Sequence, residues 1–276
     1  MIHTNRIKPG SIVVVIVTAF LLCVSLFPYY YMLLQSLLPW EKVDKTIVPG
    51  GLSLISYQSL LHPADNSDPF VWIRALINSF IVSVPTALIS VAVGLLTGFA
   101  SSKLNYKGKK AIYSSLLFQM FFPVVVLLVP RYMIVKPLAN TYFGMILPMC
   151  ISVWGVFMYI NYFRTVPNSI FEAARIDGAS NFKCLYKIAL PATKSISIIV
   201  FLSIFMMRWT DLMWDMLIAP KQEMQTLNVM ISARINSVMS IPGTMYAASV
   251  VLTLPVIIIF LIFSKHFREG IDFMLK

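Results

Sequence analysis

Few side chains in this sequence have the type and spacing to do chemistry. The three histidines, His3, His62 and His266, lie in three different segments without metal-ligand spacing, and no GxxxxGK[ST] phosphate loop occurs. The sixteen methionines show no copper-site clustering. Cys23, Cys150 and Cys184 fall in or near apolar runs, away from the staple-like spacings of a disulfide scaffold. Two ionisable groups remain. Arg208, Asp211 and Asp215 stand at i, i+3 and i+7, the spacing of one helix face, where they could neutralise one another or line a polar pathway. Glu172 and Asp177 stand in the hydrophilic stretch of residues 164–194. Neither pattern is a catalytic constellation.

The elements that must position these groups are membrane helices. The chain of 276 residues is 58% hydrophobic and only 12% charged, with a mean hydropathy of +0.81, well outside soluble globular composition. The net charge of +11 is scattered between apolar runs and so reads as a topology signal; no nucleic-acid partner is expected, and the surrounding partner is membrane lipid. Stretches free of Asp, Glu, Lys and Arg run from Pro9 to Trp40, Ala75 to Ser102, Ala111 to Pro130, Pro137 to Phe163, Ser195 to Met207 and Ile235 to Ser264. A bilayer core of about 30 Å needs roughly 20 helical residues, so five of these can span unaided. The Ser195–Met207 run is too short, and that span must continue through Arg208 and Asp211 and as far as Asp215.

The expected fold class is therefore all-α: a single polytopic domain over residues 1–276, with six transmembrane helices near 11–34, 76–100, 111–134, 138–163, 195–218 and 244–264. Residues 35–74 form an extracellular loop with one short helix, because Pro49, Gly50, Gly51 and Pro63 break any lipid-exposed helix there. The first span reads as an anchor and not as a cleaved leader, since it ends in the aromatic belt Phe27 to Tyr31 in place of a small-residue cleavage site. Alternate hydrophilic segments beginning with Arg6 and Lys8 hold fourteen of the 22 basic residues, which puts both termini and residues 164–194 in the cytoplasm.

Residues 164–194 read as two short helices. Ser169 and Glu172 fit a capping box, Gly178 a left-handed stop, Ser180 a second cap and Pro191 a terminator. Helices this short are unstable alone in water, so each must pack on something. Ile170, Phe171, Ala174 and Ile176 could lie against the chain's own bundle or dock on another protein. At membrane depth, Gln119, Ser152, Trp154, Asn161 and Trp209 have the mixture of hydrogen-bonding and aromatic groups that binds sugars, although each singly fits an interhelical contact equally well. Asp211 likewise reads either as half of a neutral pair with Arg208 or as a pathway residue. Pro123 and Pro130 are expected to break the third span near its outer end, next to Arg131, as a simple kink in preference to a gate.

The stretch Glu172–Pro191, EAARIDGASNFKCLYKIALP, resembles the coupling signature of bacterial ABC importer permeases: Glu-Ala-Ala, three residues, Gly, nine residues, Ile, one residue, Leu-Pro. Here these are Glu172, Ala173, Ala174, Gly178, Ile188, Leu190 and Pro191, without a gap. Asn78-Ser79, Gln119-Met120, Asn140-Thr141-Tyr142, Trp209 and Thr253-Leu254-Pro255 extend the likeness to the carbohydrate-uptake branch, the maltose permease G-type family. Two departures stand out. Trp209 is followed by Thr210 where the family usually has Asn, and the tail Phe273–Lys276 lacks the usual Gly-Ala-Val-Lys-Gly ending.

The resemblance implies a permease subunit with no ATPase of its own, forming half of the pathway for a sugar or oligosaccharide in a bacterial cytoplasmic membrane. It implies as partners a second permease of the maltose permease F-type, a dimer of ABC ATPase subunits that binds ATP and Mg2+, and an extracellular solute-binding protein; the chain itself binds no cofactor. Glu172, Ala173, Ala174, Asp177, Gly178, Ile188, Leu190 and Pro191 would make the ATPase-coupling contact, and Gln119, Ser152, Trp154, Trp209 and Asp211 the candidate pathway. An ion-coupled secondary transporter of a small polar solute is the alternative, but the sequence shows neither paired repeats nor a midmembrane coupling acid. A membrane-embedded enzyme lacks a catalytic constellation. Cysteine labelling from outside should reach a probe at Asp65 and miss one at Asn181; the reverse pattern would end the inward assignment of residues 164–194.

Overall fold

The computed structural model describes residues 9–61, 70–234 and 242–274, which are helical and without strands. In chain order the helices are α1 (Pro9–Ser36), α2 (Ile55–Leu61), α3 (Val71–Lys103), α4 (Lys109–Met120), α5 (Leu128–Val135), α6 (Tyr142–Ile146), α7 (Val153–Thr165), α8 (Asn168–Ile176), α9 (Asn181–Cys184), α10 (Leu190–Ala192), α11 (Lys194–Trp209), α12 (Met213–Ile218), α13 (Leu227–Arg234) and α14 (Pro242–Met274). His3, Arg6, Lys8, His62, Pro63, Asp65, Leu275 and Lys276 lie outside the described residues.

Among the described residues four stretches are long and apolar enough to cross a membrane: Val13–Ser36, Val71–Lys103, Tyr142–Thr165 and Gly243–Phe263. The number rises to six if each of two bent pairs counts as one span. One pair, Lys109–Met120 with Val124–Leu138, bends by 100°, a break where the sequence places one but sharper than a simple kink. The cause is local. Pro123 has no N–H to continue the α4 ladder and stands in an extended conformation, whereas Pro130 falls in the first turn of α5, where a missing N–H costs nothing. The other pair, Asn181–Ala192 with Lys194–Trp209, bends by 74°.

The chain divides into two compact units, Met1–Phe70 with Ala233–Thr253, and Val71–Ser232 with Leu254–Lys276. In the first, α1 leaves almost its whole apolar surface open, as a lipid-facing helix would. Its C-terminal end is fastened by Asp44, which sits at φ 60° and accepts hydrogen bonds from Tyr31 (3.0 Å) and Tyr246 (2.5 Å). Gln35 closes the same turn, accepting from the Asp44 backbone N–H at 2.9 Å and donating to the Thr46 carbonyl at 2.8 Å.

The second unit is built on α3, which packs most extensively on α7 and α11. Two membrane helices gain no hydrophobic advantage over lipid by touching, so close approach and hydrogen bonds must supply the attraction. Gly94 and Gly98, four residues apart on α3, provide the approach: a Cβ on Gly98 would stand 2.5 Å from Tyr159 Cβ and 3.1 Å from the Tyr159 carbonyl carbon. Tyr159, fully buried on α7, then donates its hydroxyl to Ser197 Oγ of α11 at 2.7 Å. One tyrosine thus ties the three helices together.

Gly98→Ala should push α3 and α7 apart, since backbone and not a flexible side-chain end is in the way. A loss of about 1–3 kcal/mol is the scale for such overpacking, to be read as a lowered thermal midpoint of the purified protein; an unchanged midpoint would show that the two helices are free to shift.

Candidate functional site

The hydrophilic hairpin is anchored at its first helix. Phe171 is 2% exposed and packs on Phe99 of α3 at 5.8 Å between ring centroids, with Lys103 Nζ 5.3 Å from its ring. Lys103 also donates to the Val166 carbonyl (2.6 Å) and to Asn168 Oδ1 (2.7 Å), while Arg175 donates to the Lys103 carbonyl at 3.0 Å. The end of α3 and the whole of α8 are thereby held as one piece. The Ser169–Glu172 capping box does not form: α8 begins at Asn168 behind Pro167, so Ser169 is already inside the helix and Glu172 is free to point outward.

The turn follows its sequence more closely. Gly178 stands at φ 78°, the backbone N–H groups of Asp177, Gly178 and Ala179 close the end of α8, and Ser180 caps α9 by accepting from the Lys183 N–H at 3.2 Å. Pro191 does not terminate the second helix as expected. The backbone widens into a π turn over Leu185–Ala189, moving aside the carbonyls that the proline ring would strike, and the chain bends only at Thr193. Ile188 lies half-buried in that π turn, and Leu190 and Pro191 are exposed beyond it.

The outward side of the hairpin is unpaired. Glu172, Ala173, Asp177 and Gly178 are exposed, Ala174 is half-buried, and neither acid has a hydrogen bond or ion pair among the described residues. Around them Ile170, Ile176, Phe182 and Tyr186 are open apolar side chains, Ile176 at 86% exposure and Phe182 at 76%. Of the four apolar residues on α8, packing on the chain's own bundle fully buries only Phe171.

The second ionisable group is arranged differently from one helical face. The helix of span five stops at Trp209, and Asp211 and Asp215 lie beyond the break, Asp215 on α12. Arg208 still gathers both. Its Nη1 lies 3.2 Å from Asp211 Oδ2, its Nη2 is paired with Asp215 Oδ1, and Nη2 also donates to the Met145 carbonyl at 3.2 Å. Thr226 donates to Asp215 Oδ2 at 3.3 Å. Arg208 and Asp215 are 2% and 1% exposed, so this is a buried ion pair with hydrogen-bonded flanks.

The polar frame extends along the segment after α12. Asn78 donates to the carbonyls of Glu223 (2.9 Å) and Gln225 (3.0 Å) and accepts from Tyr142 (2.6 Å); Ser79 Oγ accepts from the Leu227 N–H (2.9 Å). Asn140, at φ 57°, accepts from the Lys221 N–H and donates its own N–H to the Ile218 carbonyl. Sequence reasoning noted these asparagines only as points of likeness; their role as clamps on one loop needed the third dimension.

The candidate pathway residues are not brought together. Gln119 is exposed at the last turn of α4, beside the break. Ser152 is spent as the cap of α7, accepting from the Gly155 N–H at 3.1 Å, and Trp154, two residues on, is 39% exposed. Trp209 is 2% exposed, stacked on Phe205 and edge-on to Phe80, so its ring is packed in the core of this chain. Asp211 is partly open, yet engaged by Arg208 and by the Trp214 N–H at 3.2 Å. No group of three or more possible metal ligands occurs among the described residues.

The model of one protein family, described as binding-protein-dependent transport system inner membrane component, matches residues 90–272. The chain belongs to this family. It is 30% identical over 260 residues to the inner membrane ABC transporter permease protein YcjP of Escherichia coli (strain K12), covering 92% of this chain and 91% of that one. It is 26% identical to the arabinooligosaccharides transport system permease protein AraQ of Bacillus subtilis (strain 168), over 98% of this chain and 96% of that one. In fold it matches a chain from the crystal structure of a bacterial ABC transporter involved in the import of the acidic polysaccharide alginate, with a TM-score of 0.82, 21% identity, and coverage of 96% and 100%.

As a member of the family, the protein is an ABC importer permease, a multi-pass transport component of the inner membrane that works with an ABC ATPase and a binding protein. The ion-coupled alternative is set aside. Arg208 and its two acids then invite a comparison within one permease. Asp215→Asn leaves a buried cation short of its closest counter-charge, for which about 3–5 kcal/mol is the expected scale. Asp211→Asn should cost far less, because that carboxylate is partly solvated. Thermal midpoints of both variants in detergent test the ranking; equal losses would mean that Asp211 is structurally the equal of Asp215.

Proposed function

We propose that this permease forms half of the translocation pathway for a sugar or oligosaccharide, opposite a second permease of the maltose permease F-type. A dimer of ABC ATPase subunits, binding ATP and Mg2+, drives it from the cytoplasm, and an extracellular solute-binding protein delivers the solute. Both termini and the 164–194 hairpin are on the cytoplasmic side, residues 35–74 on the outer side. The carbohydrate class rests on the relatives, one named for arabinooligosaccharides and a fold neighbour from an alginate importer.

The observation that carries the coupling role is the division of the hairpin into an anchored face and an open one. Phe171 and the Lys103 hydrogen bonds lock α8 to α3, while Glu172, Asp177 and the exposed apolar side chains present an unsatisfied amphipathic surface. Such a surface suits a groove on a partner, with Ala173 and Ala174 permitting close approach and Glu172 forming a charge-assisted contact. Ile188, Leu190 and Pro191 follow on the stretch that joins α9 to α11. Movement of the ATPase would then move α3 and α11 as rigid levers, ATP and solute each favouring one global state. Gln119, Ser152, Trp154 and Asp211 remain the pathway candidates of this reading.

Glu172→Ala should remove about 1.5–3 kcal/mol of docking contact. ATP hydrolysis in proteoliposomes would lose its stimulation by loaded binding protein while the protein still inserts. Gly178→Asp should act the same way by a different route. Nothing lies within 4 Å of where its Cβ would sit, so the cost is left-handed backbone strain of about 1 kcal/mol or more together with a charge offered to the partner. Normal stimulation in both variants would sink the coupling role of the hairpin.

A further inference from the structure

Between α4 and α7 lies a shallow apolar furrow. Its walls are Leu116, Leu117 and Met120 on α4 and Val153, Phe157 and Ile160 on α7, with Tyr113 at the end nearer the hairpin. From Tyr113 to Met120 is about 10 Å of helix, less than one leaflet of a hydrocarbon core of roughly 30 Å. The open space is about 170 Å³, which over that length is a cross-section of about 17 Å². A helix about 10 Å across would need roughly 80 Å². The furrow therefore accepts a single methylene chain and is too narrow for a further helix.

The hairpin end of the furrow is cationic. Arg164, four residues beyond Ile160, is exposed, with its guanidinium carbon 4.8 Å from the centroid of the Tyr113 ring. Lys110, three residues before Tyr113 on α4, is exposed, and so is Lys107 in the turn that leads into α4. None of these three cations has a hydrogen bond or an ion pair among the described residues. Lys103 and Lys109, by contrast, are spent on local oxygens, at 2.6 Å from the Val166 carbonyl and 2.9 Å from the Leu104 carbonyl. The sequence contains no Asp or Glu between Asp68 and Glu172, so no carboxylate of this stretch can meet the charge.

An apolar track one chain wide, ended at the membrane surface by a guanidinium, an ammonium and a phenol, has the form of a phospholipid. A guanidinium can take two phosphate oxygens at once, and a neighbouring ammonium adds a point charge. A tyrosine suits headgroup depth, and basic pockets between membrane helices bind acidic headgroups. A zwitterionic headgroup brings its own cation to the same place and gains less.

We infer that α4 and α7 form a binding site for an anionic glycerophospholipid, with one acyl chain in the furrow and the phosphate on Arg164 and Lys110. The site is independent of the solute and of the ATPase contact, and needs only the family's placement in a membrane. It also gives α4 an attachment. That helix has no fully buried residue of its own, and a lipid bridging it to α7 holds the half-span that precedes the 100° break.

The test offers the assembled transporter in detergent equal amounts of dioleoyl-phosphatidylglycerol and dioleoyl-phosphatidylcholine and reads the retained lipid by native mass spectrometry. The wild type should prefer phosphatidylglycerol about tenfold, the scale set by one or two cations at a membrane surface. Arg164→Gln combined with Lys110→Gln should remove most of that preference, and Arg164→Lys should keep part of it. Lys136→Gln, which removes an exposed cation just after α5, should leave it unchanged. Leu117→Trp, which fills the furrow and spares every charge, should lower retention severalfold. Equal retention of the two lipids by the wild type would overturn the site, as would a loss in the double variant no larger than in Lys136→Gln. Displacement of phosphatidylglycerol by inorganic phosphate, or full retention in Leu117→Trp, would leave a bare anion site and overturn the role of the furrow. A disulfide from Leu117→Cys to another subunit would show that protein, and not lipid, fills it.

Discussion

The structure of the second unit turns on one buried cation. A guanidinium removed from water is tolerable only if its charge is met at close range and its N–H groups find acceptors. Arg208 has its charge met by Asp211 in the break and Asp215 on α12, and its Nη2 donates to Asp215 and to the Met145 carbonyl on α6, while Nε and Nη1 make no hydrogen bond. Those partners fix where the chain goes after α11. A continuous helix would place the acids by rotation alone, whereas the break lets the chain fold back so that α12 delivers Asp215 into the core. Asp215 in turn receives Thr226, and Thr226 leads directly into α13. The segment between α12 and α13 is thus strung between the ion pair at both of its ends and the Asn78 and Asn140 clamps along its length.

Much of this architecture is legible in the sequence, and the illegible parts share a cause. Charge-free runs report apolar surroundings, and they locate α1, α3, the stretch Tyr142–Thr165 that holds α6 and α7, and α14, because a helix in lipid needs nothing more than length and apolarity. The hairpin turn is legible because Gly178 and Ser180 act on their own neighbours. The break at Thr210 is not, since no proline or glycine stands there; it is enforced by Arg208 drawing in acids from further along the chain. Trp209 is ambiguous in sequence for the same reason. A tryptophan near a membrane surface can face lipid, solute or core, and only the positions of Phe80 and Phe205 decide. Pro191 fails as a terminator because a π turn relieves the clash that the local rule counts on.

The close contact of α3 with α7 has a different status. Gly94 and Gly98 are a readable small-residue pair, but their meaning lies in Tyr159, some sixty residues away. Where a tertiary partner supplies the physics, spacing alone is silent. The conformation of Asp44, left-handed without being glycine, belongs with these cases: two tyrosine hydroxyls hold a carboxylate where the backbone alone would not put it.

These constraints also bear on how force could travel through the molecule. The hairpin meets the membrane helices at two places, where Phe171 of α8 packs on Phe99 and Lys103 at the end of α3, and at Thr193 before α11. The Tyr159 hydroxyl joins α7 to α11 only three residues beyond Lys194. At the far end, Arg208 joins α11 to α6 and α12, and Asn78 and Ser79 join α3 to the same following segment. Two helices, α3 and α11, therefore run from the hairpin to one polar frame at their other ends, joined along the way through α7, which meets α3 at Gly94 and Gly98 and α11 through the Tyr159 hydroxyl. A push on the hairpin cannot move one of them without loading the other. On the proposed reading this pairing makes a rigid lever of the unit, while the 100° break between α4 and α5, exposed along nearly its whole length, is left as the part with the fewest internal restraints.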